Sequence, residues 1–292
     1  MTEPCPSTLY LVGTPLGNLE DISYRAVKIL RGVDAIAAED TRRTGRLLQA
    51  LGIDRPQVSY HEHNRQQRGP ELIARLQAGQ SIALVSDAGM PAIADPGQEL
   101  VQAAIAAGLT VVPIAGPSAV IAALCASGLA SDRFAFEGFL PAKRKARRDV
   151  LQSLNQEART LIFYESPHRL RDTLEDLAAV FGGDRAIVLA RELTKLHEEF
   201  WRGSVAEAIA EFTRREPQGE FTLVIAGAVV QTQALSEETL RQELATLLAA
   251  GVSRSEASRT LAAQTGTPKR RLYQLALEVP LPEDEGATSS EP

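Results

Sequence analysis

The stretch SDAGMPAIADPG, residues 86–97, follows the apolar run SIALV and leads into the helix-like QELVQAAIAAG. A strand-to-helix connection in an α/β unit needs about 2–6 residues, and this one is far longer. It carries two prolines, two glycines and two aspartates, and neither lysine nor arginine. A long connection at the carboxyl end of a strand is where open α/β sheets bind ligands. Its flexible backbone and acids suit a ligand with positive charge and hydroxyls, and would repel a polyphosphate.

Outward from this stretch the pattern alternates. TLYLVG, VDAIAAED, VSYHE, SIALVSD and LTVVPI read as strands. ISYRAVKILR, TRRTGRLLQALGI, PELIARLQAG and GQELVQAAIAAG read as helices, several stopped by glycine. That rhythm predicts an α/β fold with a mainly parallel sheet covered on both faces. After AGPSAVIAALCASGL the pattern changes: FAFEGFL, TLIFYES, AIVLARE, HEEFWRG and FTLVIAG read as strands, with helices expected at 145–157, 168–181 and 204–215. AIVLARE and HEEFWRG lie too close for a crossover helix, so an antiparallel pair and a mixed sheet are expected. From Ser236 onward the chain reads as helical. A glycine-bearing turn at 265–267 gives it a helix-turn-helix character. The expected domains are 1–115, 116–230, a small helical domain at 231–280 and a disordered acidic tail at 281–292.

The chain has 292 residues, 44% hydrophobic and 23% charged, an ordinary globular balance. The start MTEPCPS lacks the basic and apolar regions of a secretory signal, and no apolar run reaches a membrane span. Of the two cysteines, Cys5 sits in a ragged start, and Cys125 in an apolar run reads as a small buried side chain. A disulfide framework is not expected, and a reducing cytoplasm fits. The net charge of −6 argues against a nucleic-acid partner only on average, because PAKRKARR packs five cations into residues 143–148.

Four stretches can carry chemistry. VGTPLGNLEDIS is a loop after a strand, but neither GxGxxG nor a phosphate loop, which disfavours a dinucleotide site or a nucleotide triphosphatase. In AEDTRRTGRLL, Thr41 can cap a helix, Asp40 reads as a charged cap, and Arg42, Arg43 and Arg46 are either solvated or grip a phosphate backbone. The GPS turn at 116–118 leaves N–H groups free at a helix start, where a carboxylate can sit. FYESPHRL, ARELTKLHEE and GEFTLVIAG place acids and bases near strand ends. His61 and His63 flank Glu62, but a lone H-x-H is a poor zinc signal, and no metal site is expected.

Together LYLVGTPLGNLEDIS, AAEDTRRT, SDAGMPAIADPG, AGPSAVIAALCASGL, GFLPAKRKAR, IFYESPHRL and ARELTK, in this order, resemble the tetrapyrrole-methylase superfamily, the class III S-adenosylmethionine methyltransferases. Within it they are most similar to the branch acting on small-subunit ribosomal RNA. The resemblance implies two α/β domains with the cofactor cleft between them, a homodimer, and methylation of a cytidine ribose 2′-oxygen in the decoding centre of 16S rRNA. It implies cofactor contacts at Pro15, Ser86, Asp87, Met90, Ile93, Ser118, Ala119, Tyr164, Leu193 and Gly227. Asp95 joins them as a hydrogen-bond acceptor. RNA is expected at Arg42 and Arg43, along Lys143, Arg144, Lys145, Arg147 and Arg148, and on the helical end. For proton removal or substrate positioning the candidates are Glu39, Asp40, Glu165, Glu192 and Lys195, with the pairs Arg191–Glu192 and Glu39–Asp40 favoured. Lysine qualifies only if its pKa is lowered. The alternatives are a tetrapyrrole methyltransferase and a non-catalytic RNA-binding module.

Overall fold

The computed structural model describes residues 3–229 and 236–280. The expected acidic tail lies outside the described residues, as does the start of the expected helical domain.

Five strands form the first sheet: β1 (Thr8–Val12), β2 (Ala35–Ala38), β3 (Gln57–Ser59), β4 (Ile82–Val85) and β5 (Thr110–Ile114). Their order is β3-β2-β4-β1-β5, and every pairing is parallel. Side chains alternate across a strand, so the apolar runs feed two cores. Tyr10, Ile36, Ala83 and Ile114 pack with α1 (Tyr24–Gly32) and α2 (Thr41–Ala50) on one face. Leu9, Ala37, Ile82 and Leu84 pack with α3 (Arg65–Gln77) and α4 (Gln98–Ala106) on the other. Pro113 is tolerated inside β5 because β5 is an edge strand. The helix read from Pro70 starts earlier, at Arg65. Asn64 holds the turn before it, accepting from the His61 N–H at 2.8 Å and donating to the Ser59 carbonyl at 3.1 Å.

Between Ile114 and Ala119 the chain leaves this sheet and begins α5 (Ala119–Ser127), which lies on the second. That sheet contains β6 (Phe134–Phe139), β7 (Thr160–Glu165), β8 (Ala186–Arg191), β9 (Glu199–Ser204) and β10 (Phe221–Ile225), in the order β6-β7-β10-β8-β9. Only β6–β7 is parallel; β8–β9 is the antiparallel pair that the short connection demands. α6 (Arg144–Ser153), α7 (Leu170–Phe181) and α8 (Val205–Arg214) cover one face, and α5 covers the other. Leu16, from the loop after β1, packs into that α5 core and so couples the two halves. α5 corrects one reading: Cys125 is exposed. AVIAALCAS is apolar all round, so composition could not tell its buried side (Val120, Ala123, Leu124) from the side carrying Ile121 and Cys125.

Both sheets belong to one compact unit ending at Ala228; a second unit begins at Val229. In the second unit, α9 (Glu237–Ala249), α10 (Arg254–Thr265) and α11 (Lys269–Glu278) bury Leu240, Leu244, Leu261, Leu272 and Leu275 together. Ser236 caps α9 by accepting from the Thr239 N–H at 3.1 Å. Gly266, at φ 68°, ends α10 at the turn expected there.

Candidate active site

The loops after β1, β4 and β5 meet backbone to backbone. Thr14 and Gly89 exchange two hydrogen bonds, at 2.9 and 3.0 Å. A Cβ on Gly13 would lie 2.8 Å from the Gly116 Cα and 2.7 Å from the Met90 Sδ, so glycine is required where the loops cross. Above this crossing is a pocket of about 440 Å³, within the roughly 300–1,000 Å³ typical of small-molecule sites.

One wall is the residue 86–97 loop, which contributes Asp87, Met90, Ile93 and Asp95. Ser118 and Ala119, at the start of α5, form the floor. The opposite wall comes from the second sheet: Tyr164 and Glu165 from β7, Ala190, Leu193 and Lys195 from β8 and its loop, and Glu220 to Thr222 at the start of β10. Ala92, Ala94, Glu192 and Thr194 hold positive φ of 67°, 60°, 50° and 65°. Among the described non-glycine residues only Ser7 shares this. The backbone is therefore strained on both sides of the pocket, as at ligand clamps.

Acids dominate the first wall. The Asp87 N–H donates to the Glu39 carboxylate at 3.3 Å, and the Asp40 N–H to Asp87 at 3.1 Å, tying the loops after β2 and β4 together. Arg43 pairs with Asp87 at 3.3 Å and lines the pocket. Burial pushes Asp95 up to about 6, helped by the nearby Glu39 charge. Burial raises Glu39 as well. Tyr164 is pushed up to about 12 by burial and then by Asp95. Among the described residues Asp95 has no ion-pair partner, and the charges that act on it most are the acids Glu39 and Asp87.

Several expected residues fall elsewhere. Ser86 is buried beneath the loop, its hydroxyl oxygen 3.4 Å from the Ala88 and Gly89 carbonyls and within reach of Asp95, and it does not line the pocket. Pro15 does not line the pocket either, although its neighbour Leu16 does. Gly227 lies at the opposite end of the second sheet. β10 runs antiparallel to β7, with Phe221 opposite Glu165 and Ile225 opposite Leu161, so the start of β10 reaches the pocket and its end does not. Asp40, not Thr41, caps α2, accepting from the Arg42 N–H at 2.8 Å, and its pKa is held far down by Arg42. Arg42 pairs with that cap residue at 2.8 Å while its side chain stays exposed.

Arg191 donates to the Gln218 carbonyl at 2.6 Å and pairs with Glu199, so it braces its own sheet edge. Lys195 is not primed as a base. Burial pulls its pKa down, but bonds to Glu192 at 2.8 Å and Glu220 at 2.9 Å outweigh that and raise it. Burial pushes Glu192 up, yet Lys195 and the Glu220 N–H bring it below its ordinary value. The alkyl chain of Lys195 packs where a Cβ on Gly17 would sit, which brings the first loop against this wall.

The basic run opens α6, with Lys143 at its N-cap. Arg144, Arg147 and Arg148 all bond to Asp176, at 3.1, 2.7 and 2.6 Å. Arg147 is 2% exposed and Asp176 is buried, which removes Arg147 from any surface for RNA. Lys143 and Lys145 stay exposed. Sequence reasoning also missed Phe139, Ser166, Pro167 and Phe221 in the pocket lining. The ESP of FYESPHRL carried a partial signal; Phe139 and Phe221 read only as strand residues.

A parallel α/β half is joined to a mixed-sheet half, and strained, acid-bearing loops line the pocket at the join. The chain belongs to the tetrapyrrole (corrin/porphyrin) methylase family, whose model matches residues 8–209. It is 60% identical, over 93% of its length and 98% of the relative's, to ribosomal RNA small subunit methyltransferase I of Synechocystis sp.. To the protein of that name from Escherichia coli O157:H7 it is 51% identical, over 92% and 94%. The fold is shared with uroporphyrin-III C-methyltransferase from Thermus thermophilus, solved with S-adenosylhomocysteine: TM-score 0.54, 18% identity, 77% of this chain and 99% of that one.

Proposed function

We propose that the chain is an S-adenosylmethionine-dependent methyltransferase that methylates the ribose 2′-hydroxyl of a cytidine in the decoding centre of 16S rRNA. The observation that carries the cofactor reading is the pocket between strained loops, where Asp95 has no ion-pair partner among the described residues. The rRNA reading is supported by identities of 60% and 51% to relatives named for that substrate. The exposed Lys143 and Lys145 add a contact for phosphate.

The residues present fit the cofactor. Asp87 and Asp95 would face positive charge, the N–H groups at the start of α5 beyond Ser118 would hold a carboxylate, and Met90, Ile93, Ala119 and Leu193 would pack apolar parts. When bound, the cofactor supplies an electrophilic methyl group. The chain aligns the ribose hydroxyl with it, and that alignment supplies much of the rate. Asp95 accepts the hydroxyl proton: at about 6 its pKa lies near working pH, where a base is both ionised and basic. Arg191, Glu192 and Lys195 hold the far wall in shape. The Leu16 and Lys195 contacts pack the first loop against the second sheet at the join. The family resemblance supports a homodimer in the cytoplasm as the working form. No helix among the described residues is long and apolar enough to cross a membrane.

Labelled S-adenosylmethionine supplied with small ribosomal subunits, free rRNA or uroporphyrinogen tests the reading. Label in the RNA of the subunits is expected. Label in the porphyrinogen alone overturns it in favour of a tetrapyrrole methylase, and label nowhere favours a non-catalytic RNA-binding module.

A further inference from the structure

β6 is interrupted in a way that serves the pocket. Phe134, Ala135 and Phe136 pair with Thr160, Leu161 and Ile162, but the next pair is Gly138 with Phe163. Glu137 is the extra residue of a β-bulge, and Gly138 takes the positive φ of 67° that the bulge needs. One extra residue moves every later side chain to the other face of the sheet. In an unbroken strand Phe139 would share a face with Ala135, which packs in the helix-covered core. With the bulge it pairs with Tyr164 on the face of Ile162, and Leu140 takes the core position instead. Phe139 is left 56% exposed at the pocket, in edge-to-face contact with Tyr164 at 5.5 Å and 60°. A large apolar ring has thus been turned out of a core it could have filled.

The segment after the ring is held firmly. Arg169 donates to the Leu140 and Pro141 carbonyls at 2.6 and 3.2 Å. Asp176 anchors the first turn of α6 through its three arginines. The exposed Lys143 and Lys145 therefore stand at a fixed offset from the ring. An aromatic face beside anchored cations matches a single-stranded nucleic acid, which offers a base to stack and a phosphate to pair. The cofactor has a base too, but its single carboxylate would already be met by the N–H groups at the start of α5.

We infer that Phe139 is a stacking platform for a nucleobase of the RNA substrate at the mouth of the pocket, with Lys143 and Lys145 pairing the adjoining phosphates. This rests on the rRNA reading above. The test uses the full chain, small ribosomal subunits lacking the modification, and labelled S-adenosylmethionine, and compares wild type with Phe139→Ala and Phe139→Trp. Phe139→Ala should raise the KM for subunits about 5- to 150-fold, the range for losing one stacked base. The affinity for S-adenosylmethionine and the thermal midpoint should not move, and Phe139→Trp should restore the KM. Weakened S-adenosylmethionine binding with an unchanged subunit KM would assign the ring to the cofactor and overturn the proposal. An unchanged KM in Phe139→Ala, with active wild type, overturns the platform alone. Wild type that labels no ribosomal substrate overturns the rRNA reading and the platform with it.

Discussion

Asp95 and Asp176 are both withdrawn from solvent, in opposite settings. Asp176 is surrounded by the guanidinium groups of Arg144, Arg147 and Arg148, and although burial works against its charge, those bonds hold its pKa below the ordinary value. Asp95 has burial and the neighbouring Glu39 and Asp87 charges, with only a Ser86 hydrogen bond in its favour, and rises to about 6. The backbone follows the same division. Ala92 and Ala94 beside Asp95 are in the left-handed region, whereas Asp176 sits within the regular helix α7. A compensated acid in regular structure is scaffold; an uncompensated acid on a strained loop is held ready for something that binds.

The contrast breaks most visibly at Asp176. Asp176→Ala leaves the buried Arg147 without its partner and should destabilise the chain by about 3–5 kcal/mol in chemical denaturation. A loss under about 1 kcal/mol would mean that the cluster behaves as a surface ion pair.

At Asp95 the sign reverses. A carboxylate whose folded pKa lies above its unfolded value contributes stability while protonated and loses it as pH rises, here between 3.8 and about 6. Asp95→Asn should therefore raise stability at pH 7 by about 1–3 kcal/mol, while methyl transfer falls roughly 10²- to 10⁴-fold. Wild-type transfer should drop about tenfold per pH unit below about 6 as Asp95 protonates. If Asp95→Asn is less stable than wild type at pH 7, Asp95 is a structural anchor like Asp176.

The smallest effect falls on the exposed lysines. Lys143→Ala and Lys145→Ala should each reduce the salt slope of RNA binding by about 1 and leave stability unchanged. Arg147→Ala, inside the same basic run, should cost stability instead. Equal behaviour of all three would contradict the division of the run into buried and exposed cations.

Much of the fold was legible because glycines and turn residues punctuate the first half between apolar runs buried on both faces. The antiparallel β8–β9 pair followed from loop length alone. The unread parts depend on distant partners or on direction. Arg147 was read as an RNA contact because Asp176, its buried partner, lies 29 residues away. Gly227, which the resemblance placed among the cofactor contacts, lies at the end of β10 away from the pocket, and sequence does not say which way β10 runs. Cys125 looked buried because α5 has no polar face to set its phase. At the site, the SDAGMPAIADPG acids were legible from composition. Phe139 was not, because a one-residue bulge decides which face it occupies.

The most direct measurement is nucleoside analysis of small-subunit RNA after incubation with the chain and methyl-labelled S-adenosylmethionine. The account predicts label in 2′-O-methylcytidine from the decoding centre, abolished in Asp95→Asn. Label on a nucleobase, or undiminished 2′-O-methylcytidine with Asp95→Asn, would contradict it.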